Sequence, residues 1–288
     1  MIGVWGKDGK LLGCVVNFAC HATTGPGGGK ISADYIYYIE KAIRGVFGPD
    51  LPVVFLNGAS GDVTQVDNLC PHVRPWAGED VGREVGGRVG AEAVKVLVSM
   101  WARTDQVPVG SASKLLQIER RRPASSRVAE AYRLVSDPNV KADYGGDWVW
   151  AKETVLLDAL LKKEPIAEAE VQAVQVGPAV FVAVPAEYFC QYGLDIKKGS
   201  HFPLTFPVSL ANGCVGYVPT EEAFGPNGGG YETRLTAYSN LEITAGTKMA
   251  RTGVELANSL PPGPLPQLPT VQPTTTPWSY GNVPPQRE

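Results

Sequence analysis

Two short apolar runs, each ending in a polar or glycine-rich loop, constrain the fold most strongly. The first covers residues 11–18 and stops at Cys20 and His21, before a glycine-rich segment at residues 25–29. The second covers residues 52–56 and stops at the polar segment 57–64. Apolar runs of this length are typical of strands covered on both faces. Polar residues at their ends are therefore placed where loops can build a site.

A helical spacing of apolar residues separates the two runs. Ser32 precedes Asp34, and Tyr35, Ile39 and Ile43 then recur at helical intervals until Gly48-Pro49. This pattern predicts a capped helix with an acidic first turn. The order strand, helix, strand favours a right-handed crossover and parallel pairing.

Further helices are predicted at residues 78–101, 127–135 and 148–163, and further strands at 115–118, 171–176 and 180–184. The whole pattern predicts a mixed α/β fold, with a largely parallel sheet flanked by helices and a site at the C-terminal ends of strands. The predicted helix 78–101 contains Gly82, Gly86, Gly87 and Gly90. Each glycine inside a helix costs about 1 kcal/mol of stability relative to alanine. Four of them in one helix therefore indicate that another element packs closely against it.

Residues 1–260 are predicted to form one domain. Residues 261–288 are rich in proline and threonine, a composition that disfavours helix and sheet, and are predicted to be a disordered or linker-like tail. Residues 1–5 run directly into Lys7-Asp8-Gly9-Lys10, which resembles a hairpin turn already inside a fold. We therefore expect the domain to be incomplete at its N-terminus.

Charge and composition exclude several classes of protein. The formal net charge is −3, and the run Arg120-Arg121-Arg122 is too short to form a nucleic-acid-binding surface. The sequence shows no run of roughly 20 apolar residues and no secretory leader, so no transmembrane segment is expected and no compartment is assigned. The five cysteines are scattered without a C-x-x-C pair and are predicted to be buried small side chains.

Taken singly, the candidate site residues have ordinary explanations. Of three histidines, only His21 follows a predicted strand and precedes a glycine-rich loop. It is a candidate ligand or catalytic residue, and the alternative is a structural histidine whose hydrogen bonds are satisfied. Glu187 follows the apolar strand 180–184, where an acid also favours the first turn of a helix. Tyr217 and Tyr231 alone are more typical of core or rim aromatic residues.

Together, five segments in one order resemble the neutral, non-lysosomal ceramidase family. The segments are Asn17-Phe18-Ala19-Cys20-His21, Ile31-Ser32-Ala33-Asp34-Tyr35, the loop 57–64, Pro185-Ala186-Glu187, and Gly216-Tyr217-Val218-Pro219-Thr220 with Gly230-Tyr231-Glu232. The resemblance implies one catalytic zinc ion held by two histidines, a glutamate and a tyrosine, with a water molecule activated at the metal. Position by position, His21 matches the second histidine, Glu187 the glutamate and Tyr217 the tyrosine ligand.

The same resemblance assigns further roles. Tyr231 matches a tyrosine that contacts the substrate carbonyl. Thr64 stands where the family usually has serine and is expected to be a site residue near the activated water, with no role as nucleophile assigned. Asp34 and Asp62 are expected behind the ligands, where they orient a ligand or close a loop. Helix first-turn charge and turn formation are the alternatives for these two acids.

The sequence departs from the family at both ends. The family's other histidine ligand lies upstream of the segment that matches His21, and its C-terminal β-sandwich is replaced here by the Pro/Thr-rich tail. The fourth zinc ligand is therefore open, and His72 is a weak candidate for it. Uncovered strand edges and apolar surface predict poor solubility or homo-oligomers.

The leading hypothesis is zinc-dependent hydrolysis of an N-acyl amide bond in a small-molecule or lipid substrate, with a ceramide-like lipid implied by the resemblance. One alternative is zinc-dependent hydrolysis of another amide or an ester. A second alternative, from a different class, is a non-catalytic truncated homologue with a binding or structural role. Members of the family are often exported, but the sequence gives no basis for assigning a compartment.

Overall fold

The computed structural model describes residues 1–25, 29–140, 142, 146–268, 270 and 285–288. The predicted mixed α/β fold with helices flanking the sheets is confirmed. The strands are β1 (Ile2–Trp5), β2 (Leu11–Phe18), β3 (Val53–Asn57), β4 (Val109–Glu119), β5 (Ile166–Val176), β6 (Ala179–Ala183), β7 (Glu187–Tyr188), β8 (Leu204–Val208) and β9 (Tyr217–Val218). The helices are α1 (Asp34–Phe47), α2 (Glu79–Val98), α3 (Ser125–Ser136), α4 (Asp147–Lys163), α5 (Cys190–Gly199) and α6 (Ala245–Asn258).

The first sheet has the strand order β1-β2-β3. Strand β2 pairs in parallel with β3, with Phe18 opposite Asn57, and α1 forms the predicted connection between them. Tyr35, Ile39 and Ile43 on α1 are fully buried in the core on this sheet. The C-terminal ends of β2 and β3 therefore lie side by side, with a loop after each.

The second sheet has the order β4-β5-β6-β8, and β7 and β9 form a separate pair. Parallel pairing, expected to dominate, holds for β2–β3, β6–β8 and β7–β9, whereas β1–β2, β4–β5 and β5–β6 are antiparallel. The two helices between β4 and β5 pack against each other instead of forming a crossover, which allows β5 to return antiparallel.

The side chain of Asn17 on β2 joins the two sheets. Its amide donates to the carbonyl of Leu56 on β3 at 3.1 Å and to that of Pro207 on β8 at 3.0 Å. Beyond the strands, the backbone N–H of Ser209 donates to the carbonyl of Asn57 at 2.9 Å. Parallel strands from both sheets therefore end in the same place, and the loops that follow them meet there.

The glycines of α2 confirm the predicted close approach. A Cβ built on Gly86 would lie 2.1 Å from the carbonyl oxygen of Tyr35 and 2.7 Å from Cβ of Tyr38, both on α1. Gly82 and Gly90 also leave no room for a Cβ. Gly87 faces away, with no atom within 4 Å of a built Cβ in the described structure.

Gly86→Ala is expected to lower the free energy of unfolding by about 3 kcal/mol, because α1 and α2 must separate to accept the methyl group. Its neighbour provides the control. Gly87→Ala places the same methyl in open space and is expected to raise the free energy of unfolding by about 0.5 to 1 kcal/mol. Urea denaturation of both variants measures the difference, and equal effects would contradict the tight helix crossing.

The cysteines divide into two groups. All five are free, and Cys14 and Cys20 are buried as predicted, whereas Cys70 and Cys190 are half-buried and Cys214 is exposed. Burial raises the pKa of the Cys20 thiol to about 11.

In the described ranges, no helix combines the length and apolar character needed to cross a membrane.

The predicted tail from residue 261 stays a prediction, since residue 269 and residues 271–284 lie outside the described residues. Its first residues still contact the domain. The side-chain amide of Gln175 donates to the carbonyl of Pro261 at 2.6 Å, and the N–H of Gly263 donates to the carbonyl of Gly177 at 3.0 Å. Pro261 and Gly263 are therefore hydrogen-bonded to the region where β5 ends.

Candidate functional site

Glu187 and Tyr217 are brought together by backbone pairing. They are direct partners in the two-residue parallel ladder of β7 and β9. The N–H of Glu187 also donates to the carbonyl of Gly216 at 2.9 Å. Two residues predicted as metal ligands from separate segments therefore lie on neighbouring strands.

His21 lies just beyond the C-terminal end of β2, as predicted. Its backbone N–H donates to the carbonyl of Val63 at 2.9 Å. Its Nδ1 lies 3.8 Å from Oε2 of Glu187, and its ring centroid lies 6.2 Å from that of Tyr217. Its Nε2 is buried and has no hydrogen-bond partner within the described structure. A buried polar atom without a partner is costly, so the interpretation as a satisfied structural histidine is not supported.

Two tyrosines from residues 230–241, here called the tyrosine loop, complete the cluster. The hydroxyls of Tyr231 and Tyr217 lie 3.0 Å apart, and the hydroxyl of Tyr238 donates to Oε1 of Glu187 at 3.2 Å. The rings of Tyr231 and Tyr238 both pack edge-to-face on Tyr217. Burial raises the pKa of Tyr217 and of Tyr238 well above the ordinary value for tyrosine.

Close backbone contact at Gly216 sets the position of Tyr238. Gly216 has φ of +85°, and a Cβ built on it would lie 1.8 Å from the carbonyl oxygen of Tyr238. The same carbonyl accepts from the N–H of Tyr217 at 2.9 Å. A side chain at residue 216 would therefore push the tyrosine loop away from β9.

The carboxylate of Asp62 ties the loop after β3 to the segment that follows Glu187. Its Oδ1 accepts from the N–H of Cys190 at 2.6 Å, at the start of α5. The N–H of Gly61 donates to the carbonyl of Tyr188 at 2.8 Å. Asp62 therefore joins the loop after β3 to the start of α5, and in the described structure it makes no hydrogen bond or ion pair with His21.

Asp34 makes a hydrogen bond to the loop that follows His21. It accepts from the hydroxyl of buried Thr24 at 2.6 Å and from the N–H of Tyr35 at 2.7 Å. The Tyr35 hydroxyl in turn donates to the carbonyl of Cys20 at 2.8 Å. Asp34 is therefore bonded to the loop after His21 through the Thr24 hydroxyl, and it is also the acidic first residue of α1.

Two predicted candidates are not brought into the cluster. The Thr64 side chain is exposed, and its hydroxyl donates to Oε1 of Gln65 at 2.7 Å, an atom that also accepts from Thr23 at 2.9 Å. His72 is exposed, and among the described residues it makes no hydrogen bond or ion pair with His21 or Glu187. The fourth ligand therefore stays open, and the role of Thr64 stays a prediction.

In the described ranges, no three His, Cys, Asp or Glu side chains come together as a metal-binding group. The cluster found here instead combines one histidine, one glutamate and tyrosines. Tyr217 supplies the third predicted ligand atom, a phenol oxygen.

One cavity has a cluster residue in its wall, and a second lies next to residues that flank His21. A polar cavity of about 850 Å³ has Cys214 and Tyr238 in its wall, together with Arg120, Lys163, Glu164 and Glu168. An apolar cavity of about 600 Å³ lies at the end of β2 and is lined by Phe18, Cys20, Val63, Thr64, Val85 and Val89, among others. His21, Glu187 and Tyr217 do not line the apolar cavity, although Cys20 and Val63 flank His21.

The fold is similar to that of solved ceramidases. The neutral ceramidase from Pseudomonas aeruginosa superposes with a TM-score of 0.60 over 91% of this chain and 47% of its own, at 16% sequence identity. A ceramidase complexed with C2 gives a TM-score of 0.62 over 91% of this chain and 49% of its own, also at 16% identity. The chain therefore spans about half the length of these ceramidases and shares the fold of that part. No protein-family model and no curated protein matches the chain.

Sequence reasoning missed Tyr238 and Cys214. The Cys214 thiol lies 3.2 Å from the Tyr238 hydroxyl, which in turn reaches Glu187. Neither residue lies at the end of an apolar run, which was the signal that located His21 and Glu187. The proximity of Cys214 to Gly216 and Tyr217 was the one available indication.

Proposed function

We propose that this chain is a zinc-dependent hydrolase of an N-acyl amide bond, with a ceramide-like lipid as the leading substrate class. The observation that carries the proposal is His21, which lies beside Glu187 and Tyr217. Its buried Nε2 has no hydrogen-bond partner among the residues that the structure describes. The similarity of the fold to ceramidases supports the reaction class.

The residues present fit a zinc ion. An imidazole nitrogen, a carboxylate oxygen and a phenol oxygen are donors that suit zinc, and three protein ligands leave a position free for water. Zinc, when bound, would supply Lewis-acid chemistry that makes water a better nucleophile and polarises a carbonyl. Tyr238 holds one oxygen of Glu187 by a hydrogen bond and leaves Oε2 on the side of His21.

Tyr231 is suited to act on the substrate. Its side chain is 54% exposed, and its hydroxyl is held 3.0 Å from that of Tyr217. A phenol at the rim can donate a hydrogen bond to the carbonyl oxygen of a bound amide as negative charge develops there. One such donor typically lowers the barrier by about 3 kcal/mol.

The apolar cavity supports the lipid part of the proposal. It adjoins the end of β2, and Cys20 and Val63 place its wall next to His21. Burial of an acyl chain there would be favourable by about 0.8 kcal/mol for each methylene. Longer acyl chains are therefore expected to bind better than short ones, up to the capacity of the cavity.

Two other functions give different results. A hydrolase of another amide or of an ester would use the same zinc chemistry with a different chain-length profile. A non-catalytic protein with a binding or structural role predicts no zinc and no dependence on His21. A panel of N-acyl amides and ester analogues of increasing chain length distinguishes the proposed function from hydrolysis of another amide or an ester. The zinc content of the chain distinguishes it from a non-catalytic role.

The decisive experiment is elemental analysis of the purified wild-type chain beside His21→Ala and His201→Ala. His201 is exposed and remote from the cluster, so its replacement is the matched control. Near-stoichiometric zinc in the wild type and in His201→Ala, with zinc lost in His21→Ala, is the expected result. Absence of zinc from all three after reconstitution would reject the zinc-dependent function.

A further inference from the structure

The guanidinium of Arg121 is directed at the backbone of the tyrosine loop. Its Nε donates to the carbonyl of Leu241 at 2.9 Å, its Nη2 to that of Ser239 at 3.1 Å, and its Nη1 to that of Thr233 at 3.5 Å. The backbone N–H of Arg121 donates to the carbonyl of Asn240 at 2.6 Å. One side chain therefore contacts the loop close to Tyr231 and on both sides of Tyr238.

The surroundings of this guanidinium are unusual for a charged group. Within the described structure, no carboxylate pairs with Arg121, and its charge is met by carbonyl dipoles. The face of the Phe224 ring lies 4.7 Å from the guanidinium carbon. Burial, followed by the nearby charge of Arg127, lowers the pKa of Arg121. The half-buried charge of Arg121 is therefore compensated by hydrogen bonds to backbone carbonyls of the tyrosine loop.

Two neighbouring arginines hold other parts of the same loop. Arg120 Nη1 donates to Oδ1 of Asn240 at 2.6 Å, and the amide of Asn240 donates to the carbonyl of Ala237 at 2.7 Å. Arg127 Nη2 donates to the carbonyl of Leu235 at 2.9 Å. The segment that contains residues 120–127 therefore faces the tyrosine loop along most of its length.

We propose that Arg121 is a positioning residue that fixes Tyr231 and Tyr238 against Tyr217 and Glu187. The guanidinium spreads its donors over three nitrogens in a rigid plane and reaches carbonyls of three separate residues, whereas the three donors of lysine all lie on one nitrogen. The consequence for hydrolysis rests on the proposed function. The positioning itself concerns only contacts within this chain.

Arg122 provides a matched control. It is the next residue in the chain, its side chain is exposed, and within the described structure it makes no hydrogen bond or ion pair. Arg121→Gln and Arg122→Gln therefore remove the same charge, and only the first removes the contacts with the loop.

The test is fluorine NMR of the full chain labelled with fluorotyrosine, with Tyr231→Phe and Tyr238→Phe used to assign the two resonances. In Arg121→Gln, both resonances are expected to shift and broaden, and in Arg122→Gln both should stay as in the wild type. With zinc in excess, kcat for an N-acyl substrate is expected to fall on the order of 100-fold in Arg121→Gln, because small displacements of groups near a reacting centre have effects of that size. KM is expected to change much less, since Tyr231 would act mainly in the transition state.

Unchanged resonances of Tyr231 and Tyr238 in folded Arg121→Gln would overturn the inference. Where Arg121→Gln does not fold, Arg121→Lys keeps the charge and loses the fork, and it is expected to shift the same two resonances. Unchanged resonances in Arg121→Lys would then overturn the inference. A wild-type chain that hydrolyses no N-acyl substrate would reject the proposed function, while the fluorine spectra would still decide whether Arg121 positions the tyrosines.

Discussion

Glu187→Ala is expected to lose both zinc retention and hydrolysis. Glu187 is the residue that touches most of the cluster, through its pairing with Tyr217, its distance of 3.8 Å to His21 and its hydrogen bond from Tyr238. Removing a ligand should weaken zinc binding by far more than 100-fold, since even the partners behind the ligands typically contribute roughly 10- to 100-fold. Elemental analysis after dialysis, together with an N-acyl hydrolysis assay, measures both effects.

Glu222→Ala is the control for this experiment. Glu222 is an exposed acid near the tyrosine loop, and within the described structure its side chain makes no hydrogen bond or ion pair. It should keep wild-type zinc content and rate. Wild-type zinc content in Glu187→Ala would remove Glu187 from the metal site, and with it the ligand set proposed here.

Gly216→Ala is expected to lower the free energy of unfolding by about 3 kcal/mol, from a strained backbone and a steric collision together. Its φ of +85° disfavours any side chain, and the new methyl would lie 1.8 Å from the Tyr238 carbonyl. Relief of that collision requires the tyrosine loop to move from β9, so zinc affinity should fall with stability. Urea denaturation and zinc titration check the two effects.

Gly9→Ala separates the two causes. Gly9 has φ of +80°, close to that of Gly216, and among the described residues no atom lies within 4 Å of a Cβ built on it. This variant therefore carries the backbone strain alone and should lose about 1 kcal/mol. If Gly216→Ala lost no more than Gly9→Ala, the contact between Gly216 and Tyr238 would not constrain the loop.

The sequence located two of the candidate ligands because the ends of apolar strands leave a visible pattern. His21 follows the apolar run of β2, and Glu187 follows the apolar run of β6. The pattern therefore places both residues beyond the C-terminal ends of strands. Their convergence depends on parallel strands from two sheets ending together, which the side chain of Asn17 helps to fix. A single polar residue within an apolar strand was not enough to predict that junction.

The direction of β5 could not be predicted from periodicity. The apolar pattern identified residues 115–118 of β4, residues 171–176 of β5 and the two helices between them. It did not decide the pairing, because a crossover helix and a helical hairpin give similar patterns. In this chain α3 and α4 pack on each other, so β4 and β5 pair antiparallel over their full length, from Val109–Val176 to Glu119–Ile166. Tertiary packing, which is non-local, decided the pairing.

The role of Arg121 could not be predicted for a different reason. Its acceptors are backbone carbonyls more than 100 residues away, and every residue has a carbonyl. The sequence therefore shows a run of arginines and no partner. A charge-based interpretation excluded nucleic acid, and it gave no indication of a contact with the tyrosine loop.

The bonds that hold the site together span most of the chain, with Asn17 and Pro207 separated by 190 residues and Asp62 and Cys190 by 128. Contacts of such long range form after large loops have closed, so the cluster should be among the last parts of the chain to assemble. A partly folded chain would then have no site to fill. An ion that binds only the finished fold stabilises it by mass action, so added zinc should raise the resistance to unfolding less in variants that bind zinc more weakly.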